Sequence, residues 1–348
     1  MSPAAAAAAG AACISSSAVL MRLADTSASI TALGRCGFAL PVLGALALAE
    51  RRRGTPRLPS RSRWLARLSG LFLAGDLILW SHAITAIGAG LGTVVTNLQV
   101  LIISLLAWLI LGERPRRSLV LASPVMLAGL ALVGGLGGLG GSGAYGTDPS
   151  LGVVYGIGVA ILYAIYILIL RQATSAGGTR PGRDAAGTRT AVAGVLFEAT
   201  VGATAGSAVG GFAWHDFHLG HAWPTLGWLV LLALTSQVLG WLLITMSMPR
   251  LPAGMIGALL LVQPAGSVAL SYVILGERPS ALQRLGVALV LAGLLIAVSV
   301  GTAKSPADAA APAGAARAAG QVSYWRRSTR IMRHASGAST GRSASKSP

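Results

Sequence analysis

From Leu91 to Leu111 the chain reads LGTVVTNLQVLIISLLAWLIL, with no charged residue in the run. A backbone placed in hydrocarbon must satisfy its own N–H and C=O groups, and a single segment can do that only as a helix. Crossing about 30 Å of bilayer takes roughly 20 residues at about 1.5 Å each. By that ruler the sequence predicts ten spans, near residues 5–24, 31–49, 67–87, 91–111, 117–136, 150–170, 190–212, 225–247, 253–275 and 281–300. The first and seventh are rich in Ala, Gly and Ser, which insert poorly alone but let helices approach closely, so both are expected inside the bundle. The alanine-rich start lacks the basic n-region of a secretory signal and reads instead as a weak first span.

Composition agrees. The 348 residues are 54% hydrophobic and 11% charged, with a mean hydropathy of +0.70; a soluble domain carries about a quarter charged residues. The net charge of +17 would point to nucleic acid in a soluble protein. Here the basic residues cluster in connections, so no nucleic-acid partner is expected and the lipid bilayer is. Of the 27 Lys and Arg, 23 fall on one side of the ten-span arrangement, seven of them in ERRRGTPRLPSRSRWLAR after the second span. The positive-inside rule then places both termini in the cytoplasm, in a multi-pass protein of the plasma membrane. The segment 302–348, with SYWRRSTRIMRH, has no apolar span and is expected to be a disordered basic tail. Cys13 and Cys36 form no framework and read as small packing residues.

The chain repeats itself. A shift of 164 residues aligns Ala89-Gly90 with Ala253-Gly254, Gln99 with Gln263, and Leu111–Pro115 with Leu275–Pro279, both reading LGERP. It also aligns Leu127-Ala128-Gly129-Leu130 with Leu291-Ala292-Gly293-Leu294; residues 89–130 keep 15 identities in 42 gapless positions. The repeat unit holds five spans, an odd number, so the second copy must enter the membrane from the opposite face. Residues 1–148 and 149–301 are therefore expected to be two inverted five-helix repeats of an all-α membrane protein, followed by the tail at 302–348. Inverted repeats support alternating access in secondary transporters.

With GERP closing the fourth span of each half, Gln263-Pro264 in the ninth and SQVLGW (Ser236 to Trp241) in the eighth, the sequence resembles the EamA-type transporters of the drug/metabolite transporter superfamily. The resemblance covers about residues 10–300. It implies carriage of a small molecule such as an amino acid, an amine, a nucleotide sugar or a toxic cation, mostly outward and often by proton exchange.

Intramembrane polar residues mark a pathway, because a charge at the bilayer centre costs about 2.5 to 3.5 kcal/mol on insertion scales. Asp76 falls near mid-depth in the third span with Trp80 one turn on, a pairing suited to an amine through charge and cation–π contact. A plain ion pair with Arg35 is the structural alternative. Glu198, at similar depth in the seventh span, has no partner at helical spacing and is a candidate proton carrier, with a neutral acid hydrogen-bonded to a neighbouring helix as the alternative. Asn97, on a different helical face from Gln99, joins Gln237, Trp241 and Gln263 as polar lining, although each could equally bond helix to helix. Pro264 is expected to free a carbonyl within its helix.

Other patterns carry less. The HxxHxxH of FAWHDFHLGHAWPT cannot turn three ligands one way without an unusual loop and reads as part of an aromatic interfacial belt. Gly134–Gly146 lacks a phosphate-binding GK[ST] and reads as a linker; no catalytic motif, cofactor or metal site is expected. LGERP reads as a hairpin, with Gly as C-cap, Pro opening the next helix and the acid close to water. The sequence thus points to a secondary transporter, exporting a small polar or amine-bearing metabolite by alternating access, with protons as the candidate coupling ion. A non-transporting membrane scaffold or lipid-handling protein is the alternative, and pairing with a second copy of the chain is left open.

Overall fold

Glycines decide how closely the helices of this chain can cross. A Cβ on Gly70 would strike the backbone of Ala199 and Ala203, and one on Gly202 would strike the backbone of Arg67. At another crossing, Gly129 and Gly286 each face the other's carbonyl oxygen, 2.6 Å from where a Cβ would stand. Lipid tails are as apolar as leucine, so association inside a membrane rests on such close van der Waals packing.

A computed structural model describes residues 2–111, 115, 117–135, 145–176, 192–213, 215, 223–247, 259 and 261–299, which are helical or form turns. Gly112 to Arg114, residues 136–144, most of the histidine-bearing connection, Ala253-Gly254 and the tail lie outside them, and so do the readings made of those stretches. The helices are α1 (Pro3–Ser15), α2 (Ser17–Ala24), α3 (Ala28–Gly37), α4 (Leu40–Arg52), α5 (Ser60–Ile87), α6 (Ala89–Thr96) and α7 (Gln99–Leu111). There follow α8 (Arg117–Val133), α9 (Pro149–Ala176), α10 (Val192–Ala213), α11 (Thr225–Leu232), a π-helical stretch at Ala233–Gly240, α12 (Trp241–Ser247), α13 (Val262–Leu275) and α14 (Ala281–Ser299).

Eight helical stretches among the described residues are long and apolar enough to cross a membrane, counting α1–α2, α3–α4, α6–α7 and α11–α12 each as one. Arg117–Val133 and Val262–Leu275 are apolar but shorter. The protein is thus an all-helical, multi-pass membrane protein. One boundary differs from the sequence reading: α5 begins at Ser60 rather than near 67. Between Pro59 and Gly88 no residue breaks the helix, so SRSRWLA continues it, with Arg61, Arg63, Trp64 and Arg67 all exposed. Arginine stems can follow an apolar surface while their charged heads stay in water.

Local chemistry sets the ends. Ser2 accepts the Ala5 N–H at 3.2 Å, Ser27 that of Ile30 at 3.3 Å and Asp148 that of Leu151 at 3.0 Å, each at a helix start. The caps on Asp148, with the Ser150 hydroxyl, hold its carboxyl below the ordinary carboxylate range. Gly276 closes α13 in the left-handed conformation (φ +66°), and the Glu277 N–H reaches back to the Ser271 carbonyl at 3.2 Å.

Glu277 departs from the expectation that the acid of LGERP stays near water. It is 2% exposed, and its two carboxylate oxygens accept the N–H groups of Ala89 (2.6 Å) and Gly90 (3.1 Å) at the start of α6. The turn folds its acid back onto a helix N-terminus, where four backbone donors lack intrahelical partners and the dipole favours an anion.

The repeat is visible in the contacts. α6 runs antiparallel to α13, whose sequence equivalent in the first copy is α7: Ala89 and Gly90 meet Glu277, and Thr93 meets Ser267 (Oγ–Oγ1 3.0 Å). The equivalent pair α8 and α14 does the same, from Ser118 bonding the Ala297 carbonyl (3.3 Å) to Gln283 bonding that of Val133 (3.2 Å).

Candidate binding cavity

Several of the long helices are interrupted partway along, and the interruptions meet. α1 and α2 part at Ser16, α3 and α4 at Phe38-Ala39, and α6 and α7 at Asn97-Leu98. The π-helical stretch separates α11 from α12. A π-turn adds a residue per turn and swings side chains round the axis, and such turns often sit at functional sites. Here it directs Ser236 to the Ser17 hydroxyl (2.5 Å) and Gln237 to Arg35.

Residues of α1, α3, α6, α7 and α12, with others from α5, α9, α13 and α14, line a cavity of about 260 Å³. Among its lining residues are Arg35, Asp76, Trp80, Asn97, Gln99, Tyr163, Trp241 and Gln263. Asn97 and Gln99 were expected on different faces of one helix. The break at Asn97-Leu98 brings both to the cavity; Asn97 donates to the Thr93 carbonyl at 2.7 Å across the turn. Pro264 lies in the first turn of α13, where its missing N–H would have had no helical partner.

Arg35 is fixed from two directions. Its Nε donates to Gln237 Oε1 at 3.1 Å, while Gln237 Nε2 donates to Thr200 Oγ1 at 3.4 Å. Its guanidinium carbon stands 5.6 Å from the centre of the Trp80 ring. Arg35 and Asp76 are 4% and 5% exposed, and no ion pair joins them among the described residues. Arg35 Nη1, Asp76 Oδ1 and Trp80 Nε1 are buried without a hydrogen-bond partner. Buried polar groups in native structures are almost always satisfied. Three polar groups of complementary chemistry thus lie buried and unpartnered on residues that line one cavity.

Seven of the nine residues singled out from the sequence thus line the cavity, and an eighth, Gln237, orients Arg35. Glu198 is placed elsewhere: in α10 it accepts from Arg67 Nε at 2.6 Å, a partner on α5 that no helical spacing could reveal. Tyr163 and Thr96 were missed. The pair of tyrosines within AILYAIYILIL was the available signal for the first. Tyr163 packs against Tyr166 with ring centres 5.6 Å apart. His82 is exposed and packs on Tyr155 at 5.5 Å, away from the cavity. Among the described residues no group of three His, Cys, Asp or Glu could hold a metal ion.

The sequence model of the EamA-like transporter family matches residues 1–135 and 150–299, nearly the whole helical region in two parts. The chain belongs to the EamA-like transporter family. The two matched parts agree with the internal repeat and with the antiparallel pairing of the equivalent helices α8 and α14, and the EamA family, of the drug/metabolite transporter superfamily, consists of transporters, not enzymes. Among solved structures, one crystal structure described only as a protein is 18% identical, covers 86% of this chain and 96% of its own, and superposes with a TM-score of 0.56. That likeness concerns the fold. No curated protein matches the chain. For an EamA-like chain, the cavity stands where interrupted helices from both repeats meet, the location transporters use for their sites.

Proposed function

We propose that this protein is a ten-helix secondary transporter with two inverted five-helix repeats, exporting a small polar or amine-bearing metabolite such as an amino acid across the plasma membrane. The observation that carries this reading is the cavity wall on which Arg35 Nη1 and Asp76 Oδ1 lie buried and unpartnered beside Trp80. The guanidinium suits a carboxylate, Asp76 suits an ammonium group, and the Trp80 face suits a cation or an apolar side chain. Asn97, Gln99, Trp241 and Gln263 supply further polar edges around the solute.

The charge distribution supports cytoplasmic termini and an external second GERP turn. The cavity is lined by the late residues Leu294 and Val298 of α14 and by Trp241 and Ile244 of α12. On this topology it faces the cytoplasm, which suits loading for export. Protons are the candidate driving ion, with Asp76 and Glu198 the carboxyl groups available to carry them.

Proteoliposomes test the reading. Radiolabelled amino acids and amines are offered with and without an imposed pH gradient, and at least one should move. Asp76→Asn is expected to lower its flux about ten- to a hundredfold, the worth of one hydrogen bond to a charged group. Absence of movement for every compound would sink the reading; unchanged flux and pH dependence in Asp76→Asn would remove Asp76 from it.

A further inference from the structure

α6 and α13 diverge at one end and are zipped at the other. At the divergent end Thr96, Asn97 and Gln263 line the cavity. Moving away from it, Ser267 Oγ bonds Thr93 Oγ1 at 3.0 Å, and Gly90 then lies against the Ser271 hydroxyl and the Val268 backbone. Last comes the Glu277 carboxylate on the Ala89 and Gly90 amides, 2% exposed and beyond the final turn of α13.

Around this end several contacts converge. Gly88 (φ +96°) leaves room for Glu277, whose carboxylate oxygens would lie 3.0 Å from a Cβ placed there. Gln283 ties Tyr145 through its N–H (2.8 Å) and its carbonyl (3.1 Å), and the Asp148 N–H bonds the Ala86 carbonyl at 3.1 Å. Burial, and then the Glu277 charge, push the Tyr145 phenol up.

We infer that Glu277 is a latch: its carboxylate on the Ala89 and Gly90 amides holds the cavity shut at this end, and opening there requires it to let go. Three observations carry this. The contact joins the two repeats, Glu277 from the second and Ala89-Gly90 from the first, so it lies across the seam that must part. It is made to backbone amides by one side chain at the tip of a turn, so both helices can separate without unfolding. The same acid and the same Ala-Gly pair occur in each copy at the 164-residue spacing, although Glu113 and Ala253-Gly254 lie outside the described residues.

The latch rests on the alternating-access reading, but its test needs no substrate. Spin labels are placed at the exposed Thr85 and Arg278, on α5 and on the turn after α13, with Cys13→Ser and Cys36→Ala removing the native thiols. Electron–electron resonance distances are then measured in lipid nanodiscs. Glu277→Gln keeps the shape but loses the charge and one acceptor; it should add a second, longer population. Ala89→Pro deletes the N–H behind the 2.6 Å bond at a first-turn position that tolerates proline, and should give the same shift.

An unchanged single distance in the folded variants, or loss of the fold in both, would make Glu277 a static helix cap and overturn the proposal. If only one variant folds, its distances decide. A protein that transports nothing yet shows the shift keeps its latch and loses only the transporter reading.

Discussion

Arg67 and Glu198 stand 131 positions apart in sequence and 2.6 Å apart in space. Glu198 is almost wholly enclosed, while the Arg67 side chain is 53% exposed, so the pair sits at the edge of the packed interior rather than within it. Solvent at the arginine weakens the attraction, and the coupling between the two should be about 1 kcal/mol. A double-mutant cycle with Arg67→Gln and Glu198→Gln, read by thermal melting in detergent, would measure it. Additive losses would show that the pair contributes nothing as a pair. Glu198→Gln also separates roles: flux that keeps its pH dependence in this variant would leave Asp76 as the remaining carboxyl for protons.

Elements in this protein are held by what their glycines omit. The crossing of α5 with α10 depends on Gly70 and Gly202 lying against opposing backbone, which cannot yield as a side chain can. Gly202→Ala should therefore lower stability by about 1 to 3 kcal/mol, the usual cost of overpacking. Gly37→Ala would meet only Thr204 Cγ2 at 3.9 Å, an ordinary contact, and should be neutral or slightly stabilising. Comparing their melting temperatures checks the distinction between glycine as spacer and glycine by composition. Equal shifts would discard it. The interruptions act at the same scale. A straight α6–α7 rod would turn Asn97 and Gln99 to different faces, and the break between them lets both reach one cavity.

For the whole molecule, charge asymmetry and antiparallel repeats make one joint prediction about sidedness. Cysteines at the exposed Arg57 and Arg278, introduced singly into protein lacking Cys13 and Cys36, should react oppositely with a membrane-impermeant maleimide in intact cells. Arg278→Cys is expected to label and Arg57→Cys to stay protected until the cells are opened. Labelling of both from outside would defeat the inverted topology, because the basic connection and the second GERP turn would then share a face.

Helix positions and the repeat were legible in the chain because they are local or self-referential. Apolar length reports a span whatever its neighbours do, and a 164-residue echo needs no coordinates to be heard. Residue type also flagged Asp76, Arg35 and Trp80, since charge in an apolar run is expensive wherever it lands. What they touch depends on through-space partners. Only the fold showed that Arg35 is held by Gln237 and leaves Asp76 open, or that Glu198 is met by Arg67. Glu277 was misread for the same reason. Its position beside a turn suggests water, yet packing between the two repeats buries it on the amides of a helix 187 and 188 residues away. Sequence by itself determined that this chain passes repeatedly through lipid as apolar helices and that it does so in two copies. The tertiary structure alone decided which polar groups are satisfied, because that depends on distances between helices that no periodicity encodes.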